Sequence, residues 1–141
     1  MPAGQYIGID TPVIIKTDEL LVKEICSNLL SNAIKFTTNK GNVSFKIYID
    51  RHNVVCEVKD TGYGIPVTAQ PHIFSKFFRA ENVTGQDVTG TGLGLYLTKI
   101  ISENLGGDMW FKSKENQGST FYFSLPLEGS LSKQGKFRLD T

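Results

Sequence analysis

The chain has 141 residues, a formal net charge of +1, 40% hydrophobic residues and 11% aromatics. That length allows one domain with a sizeable core, the composition excludes a disordered chain, and the charge gives no bulk attraction to nucleic acid or a membrane surface. No apolar run is long enough to span a bilayer and no signal peptide opens the sequence, so the chain as given reads as soluble. Two cysteines, Cys26 and Cys56, lie in apolar patterns without a CxxC spacing. They read as buried free thiols of a reducing compartment.

In chain order, Gln5 to Ile9 reads as a short strand and Val13 to Ile15 as a second extended piece. Thr17 or Asp18 caps a helix that runs to about Phe36. Val43, Phe45, Ile47 and Ile49 alternate with polar positions, as a half-buried strand does. Arg51-His52-Asn53 turns the chain, and Val54, Cys56 and Val58 continue the alternation in a hairpin partner. Ile73 to Arg79 form a short aromatic cluster with a helical reading, and Ala80 to Thr89 a mobile polar loop. A helix from the Gly90–Leu95 stretch runs through Leu105 to Gly106-Gly107. Met109 to Ser113 and Thr120 to Leu125 are closing strands, with a turn at Glu115–Gly118. The order predicts an α+β fold: a two-layer sandwich with a mixed sheet of about five strands and helices on one face. Residues 1–12 read as an N-terminal extension with the first strand, 13–126 as the domain, and 127–141 as a tail.

Three features carry chemistry. The first helix has a broad apolar face (Ile25, Leu29, Ala33, Phe36) and a narrow polar stripe of Glu24, Asn28, Asn32 and Lys35. Asn is a mediocre helix former, so two of them inside a helix require either a solvated face or a ligand. The second feature is Asp60. By alternation it shares the face of Val58, where a carboxylate is costly to bury unless it is paired; a plain turn at Asp60-Thr61-Gly62 is the alternative. The third is Gly90, Gly92 and Gly94 before a helix start, where free N–H groups and the dipole favour an anion such as phosphate, or else a simple hinge. The spacing is neither a P-loop nor a dinucleotide fingerprint. A nucleotide could use all three. The glycine-rich helix start would hold phosphates, and Asn32 would offer a neutral oxygen to a hydrated magnesium ion. Lys35 would neutralise charge, Asp60 would accept from an exocyclic amine such as adenine N6, and Phe36 could stack on the base.

Taken together, Asn28–Thr37, Asp60-Thr61-Gly62-Tyr63-Gly64-Ile65, Ile73-Phe74 with Phe77-Phe78-Arg79, Gly90-Thr91-Gly92-Leu93-Gly94-Leu95 and Gly118-Ser119-Thr120-Phe121 resemble, in order, the boxes of sensor histidine kinases. The resemblance covers nearly all of residues 13–126 and implies the Bergerat ATP-binding fold of the GHKL superfamily. It implies ATP and Mg2+ as cofactors, with Asn32 as metal ligand and Asn28 one turn before it. Asn28, Lys35 and Arg79 take the catalytic positions. Asp60 reads adenine, and Phe36, Gly62, Gly64, Ile65, Phe78, Leu95 and Thr120 complete the nucleotide site. Residues 80–94 become the ATP lid, with Gly90, Thr91, Gly92, Leu93 and Gly94 at its hinge. Hydrolysing relatives carry a Glu where Asn28 stands, and a carboxamide is no general base, so phosphoryl transfer is expected over hydrolysis. The alternatives are an ATP-hydrolysing GHKL enzyme and a degenerate nucleotide-binding interaction module.

Two departures qualify the match. Ser75 stands where the aromatic box of Phe74, Phe77 and Phe78 often has Glu. His52 and His72 are the only histidines, and no acidic residue follows either of them. The phospho-accepting histidine is therefore expected on a separate dimerisation domain of the same or a partner kinase, with a response regulator further downstream. Nucleic acid and direct membrane contact are not expected for this chain. The implied location is cytoplasmic, on the inner side of a full-length protein that either is or is not membrane-anchored.

Overall fold

The computed structural model describes residues 14–76, 78 and 94–128. Helix α1 spans Glu19–Lys35, strands β1 and β2 span Val43–Asp50 and Asn53–Asp60, and a 3-10 turn covers Gln70–His72. Helix α2 spans Gly94–Asn104, and strands β3 and β4 span Asp108–Lys114 and Gly118–Pro126. The strands form one sheet in the order β1-β2-β4-β3.

Helix α1 starts where a side chain can satisfy a free donor: Asp18 accepts from the Leu21 N–H at 3.2 Å. Glu19 in the first turn and Lys35 in the last both suit the helix dipole. Ile25, Leu29 and Ala33, four residues apart, form its buried stripe. Helix α1 lies over β2 and α2 lies over β3. The core between the layers is Ile25, Leu29, Ala33, Val58, Ile101, Leu105, Met109, Phe123 and Leu125. Lys99 on α2 fastens that helix to β3 by donating to the Met109 carbonyl at 2.8 Å.

The two-layer α+β arrangement is as expected, while the sheet differs in detail. Every described pairing is antiparallel, among four strands rather than about five in a mixed sheet. Hairpins join β1 to β2 and β3 to β4, and hairpins can only make antiparallel pairs. The expected first strand at Gln5–Ile9 lies outside the described residues, and Ile14–Lys16 has no regular structure. The first hairpin turn is tighter than expected. Asp50 pairs with Asn53, so only Arg51 and His52 make the turn, with Arg51 at φ +59°. Helical structure precedes the aromatic cluster: the 3-10 turn Gln70–His72, with Pro71 near its start, ends before it, and the described residues 73–76 form turns and a bend rather than a helix. The cysteines are free but half-buried. Residues 129–141 lie outside the described set, as do Phe77 and 79–93. Among the described residues, no helix is long and apolar enough to cross a membrane.

Packing predicts a contrast within α1. Ile25 is fully buried, whereas Ile34 is 66% exposed. Ile25→Ala should cost about 2–5 kcal/mol, and Ile34→Ala about 0.5 kcal/mol or less. Urea unfolding followed by circular dichroism measures both; equal midpoints would contradict this core.

Candidate nucleotide site

The site forms where three element ends meet. Helix α1 ends at Lys35, and the carbonyl of its C-cap Phe36 accepts from the Tyr63 N–H at 3.2 Å. Strand β2 ends at Asp60, and β4 begins beside it, with Ser119 directly opposite. Asp60 is buried, and its Oδ1 accepts from the Gly62 N–H at 2.9 Å and the Ser119 N–H at 3.3 Å. Among the described residues, both bonds fall on that one oxygen, so Oδ2 remains as an acceptor. Burial pushes the Asp60 carboxyl above the ordinary carboxylate range, and the two backbone donors pull it part-way back.

Two glycines make this corner possible. A Cβ on Gly62 would stand 1.9 Å from the Phe36 carbonyl oxygen. Gly118 has φ +115°, and its Cβ would meet the Asp60 carbonyl at 2.1 Å. Beyond Gly64, Ile65 donates to Ser113 Oγ at 2.8 Å, and Gln70 bridges the carbonyls of Ile65 and Ser113. These bonds fasten the glycine loop to the β3–β4 hairpin.

Asn28 Nδ2 donates to Thr98 Oγ1 at 3.0 Å, and Thr98 donates on to the Gly94 carbonyl at 2.5 Å. The direction of that chain fixes the amide: Asn28 presents its NH2 to α2 and keeps Oδ1 as an acceptor. Thr98 is fully buried and was not singled out from the sequence. Its signal was a hydroxyl on the apolar side of α2, four residues after Gly94. Asn32 is half-buried, and no described residue bonds its side chain. Lys35 is exposed, and Phe36 caps the helix half-buried. Glu24, one turn before Asn28, is exposed.

Of the other expected site residues, Leu95 packs against the core and Gly94 opens α2. Phe78 lies beside His72, with ring centroids 6.1 Å apart. Phe74 meets Phe111 edge-on at 5.8 Å, under the Lys99 ammonium. Arg79, Gly90, Thr91, Gly92 and Leu93 lie outside the described residues. Thr120 is not brought to this corner. The β2–β4 register pairs it with Lys59 on the opposite sheet face, and Ser119 stands at Asp60 instead.

Residues 17–129 match the family of histidine kinase-, DNA gyrase B- and HSP90-like ATPases. The chain belongs to this family. The chain is 31% identical to the catalytic domain of histidine kinase ThkA, with a TM-score of 0.66, covering 79% of this chain and 71% of that one. Full-length ShkA in complex with AMPPNP is 29% identical with a TM-score of 0.64, over 81% of this chain and 25% of that one. Histidine kinase 5 of Arabidopsis thaliana is 35% identical over 86% of this chain, and sensor histidine kinase WalK of Bacillus subtilis 33% over 84%. The chain spans 16% and 20% of the length of those two relatives. It is therefore a histidine-kinase catalytic domain of the GHKL, ATP-binding type, and its relatives are longer proteins.

Two outcomes follow for this corner. Gly62→Ala should lower stability by about 2 kcal/mol or more, since backbone of α1 must move to admit the methyl group; an unchanged thermal midpoint would contradict the contact. For Asp60, the raised pKa means the folded state holds its proton to higher pH than the unfolded chain does. The resulting stabilisation is full below the unfolded pKa and is lost as pH rises through the folded value. Asp60→Asn keeps the Oδ1 acceptor and removes the buried charge. Without nucleotide it should melt about 3 °C higher at neutral pH and lose this part of the pH dependence. Scanning calorimetry from acidic to neutral pH checks both.

Proposed function

We propose that this domain binds Mg-ATP and transfers the γ-phosphate to a histidine on a separate dimerisation domain of the same or a partner kinase. The observation that carries the reading is Asp60: a buried carboxylate with one oxygen held by two backbone donors and the other free to accept. An acceptor fixed in this way suits the exocyclic amine of adenine and opposes the carbonyl that guanine has there. The likeness to a kinase captured with AMPPNP supports a nucleotide in the same fold.

The donor set also fits a hydrated divalent ion. Among the described residues no group of three His, Cys, Asp or Glu side chains could hold a metal. Magnesium bound through phosphates and water needs only one or two protein oxygens, which Asn32 and the free Oδ1 of Asn28 can offer. When bound, it would neutralise charge on the phosphates. Lys35 and Arg79 would neutralise charge on those phosphates, and Gly90, Thr91, Gly92, Leu93 and Gly94 would serve as the hinge of a lid. Gly62, Gly64, Ile65, Phe36, Phe78 and Leu95 would hold the base and sugar. The chain contributes positioning and charge complementarity, with no general base in its α1 stripe at Asn28. That amide is engaged with Thr98, which sets it as an orienting group and disfavours water activation for hydrolysis. The domain works on the cytoplasmic side of the full kinase, upstream of a response regulator.

Calorimetric titration tests the assignment. Asp60→Asn should weaken Mg-ATP binding about 10–100-fold, the worth of a hydrogen bond to a charged acceptor. Asn32→Ala should abolish the difference in ATP affinity between magnesium and EDTA. Wild-type chain mixed with a histidine-bearing helical hairpin should pass on labelled γ-phosphate. Unchanged affinities in both variants would end the site assignment, and steady turnover of ATP by the chain alone would favour hydrolysis.

A further inference from the structure

Thr98 on α2 is fully buried, yet it carries a hydroxyl. A buried hydroxyl that leaves its proton or its oxygen unpaired costs stability. Thr98 Oγ1 lies 2.5 Å from the Gly94 carbonyl oxygen, one turn back on the same helix. A carbonyl can only accept, so the single Thr98 proton goes there. Asn28 of α1 meets the same Oγ1 at 3.0 Å through Nδ2. With its proton engaged, that oxygen can only accept, so Asn28 must present its NH2. Bonding of a helix hydroxyl to a carbonyl three or four residues back is common and needs no further task. Ser102, also fully buried, donates to the Lys99 carbonyl in this way at 2.8 Å. Thr98 differs in that its oxygen also reaches a carboxamide of the nucleotide corner on another helix.

We propose that Thr98 is a positioning residue for the metal: by taking the Asn28 NH2, it holds Oδ1 as the atom that Asn28 offers to magnesium. This role rests on the Mg-ATP reading above, whereas the orientation of the amide does not. A carboxamide without such a partner interchanges its oxygen and nitrogen by half a turn about the Cβ–Cγ bond. Magnesium takes oxygen ligands, so only one of the two orientations is useful. Thr98 selects that orientation before any nucleotide arrives, and the cost of ordering the side chain is met on folding rather than on binding.

The same proton count discriminates between side chains at position 28. A carboxylate there has no proton to give at neutral pH and would meet an oxygen whose own proton is already engaged. Thr98 would have to release the Gly94 carbonyl to pair with it, leaving that acceptor with one partner fewer. The Thr98–Gly94 bond therefore suits a carboxamide at this place and works against a general base. Burial keeps water from substituting for either partner.

Heteronuclear NMR of the 141-residue chain without nucleotide reads the orientation. The Asn28 NH2, assigned through its own backbone resonances, should exchange with solvent at least about tenfold more slowly than the exposed Asn116 amide. Thr98→Val keeps the shape, removes the hydroxyl and should remove that protection, while Thr98→Ser should keep it. In calorimetric titration, Thr98→Val should weaken ATP binding about tenfold with magnesium and less than about twofold with EDTA, and Thr98→Ser should restore the wild-type value. In an Asn28→Ala background, Thr98→Val should have no further effect on the magnesium-dependent affinity. Equal losses with magnesium and with EDTA, or a full additional loss in the Asn28→Ala background, would make Thr98 a packing residue and overturn the proposal. Unprotected Asn28 protons in the wild-type chain would sink the orientation itself, and that measurement requires no variant to fold. Absence of Mg-ATP binding by the wild-type chain would instead overturn the nucleotide reading and the magnesium role with it, with the exchange rates still judging the amide.

Discussion

The structure depends on how one buried carboxylate is held. Asp60 ends the central strand β2, and its Oδ1 takes N–H groups from two directions, Gly62 ahead of it and Ser119 across the sheet. The same loop presses Gly62 against the last carbonyl of α1. One side chain thus fixes where β2 stops, where β4 starts and how far α1 extends. Burying that charge costs stability, and only part of the cost is offset by its two donors. A fold selected for stability alone would place a neutral residue there. Retaining the acid makes chemical sense when an incoming donor takes the second oxygen.

Helix α1 answers two demands with one period. Ile25, Leu29 and Ala33 recur every four residues into the core, and Asn28 and Asn32 recur every four residues beside them. Because both stripes are set by the 3.6-residue turn, the core fixes the carboxamides in space. Asn28 is fixed further by Thr98, so the two helices are linked through a polar group next to the site. The helix tolerates two poor helix formers because packing of its apolar face, and not propensity, supplies its stability.

Much of this was legible in the sequence where a period or a cap carried it. The α1 cap at Asp18, the β1–β2 alternation and the stop of α2 near Gly106 all rest on local rules. Asp60 could be placed on the helix-facing side of β2 by counting from Val58. What escaped was set by long-range register. Ser119 and Thr120 are both small hydroxyl residues, and which of them meets Asp60 depends on the β2–β4 pairing, 59 residues apart in sequence. Thr98 escaped for the same reason: a hydroxyl inside an apolar stripe looks like filler until its partner on another helix is known. The antiparallel sheet is likewise a consequence of which hairpins pair, which alternation alone does not determine.

The site is therefore built from the ends of elements whose middles make the core. Val58 lies two residues from Asp60, and Leu29 lies one residue from Asn28. No separate scaffold insulates the polar corner from the packing beneath it. A shift of α1 against β2 that a core could absorb by repacking would still move a carboxamide relative to a carboxylate. The proposed phosphoryl transfer asks the protein for positioning, so on that reading the interlayer packing is part of the site.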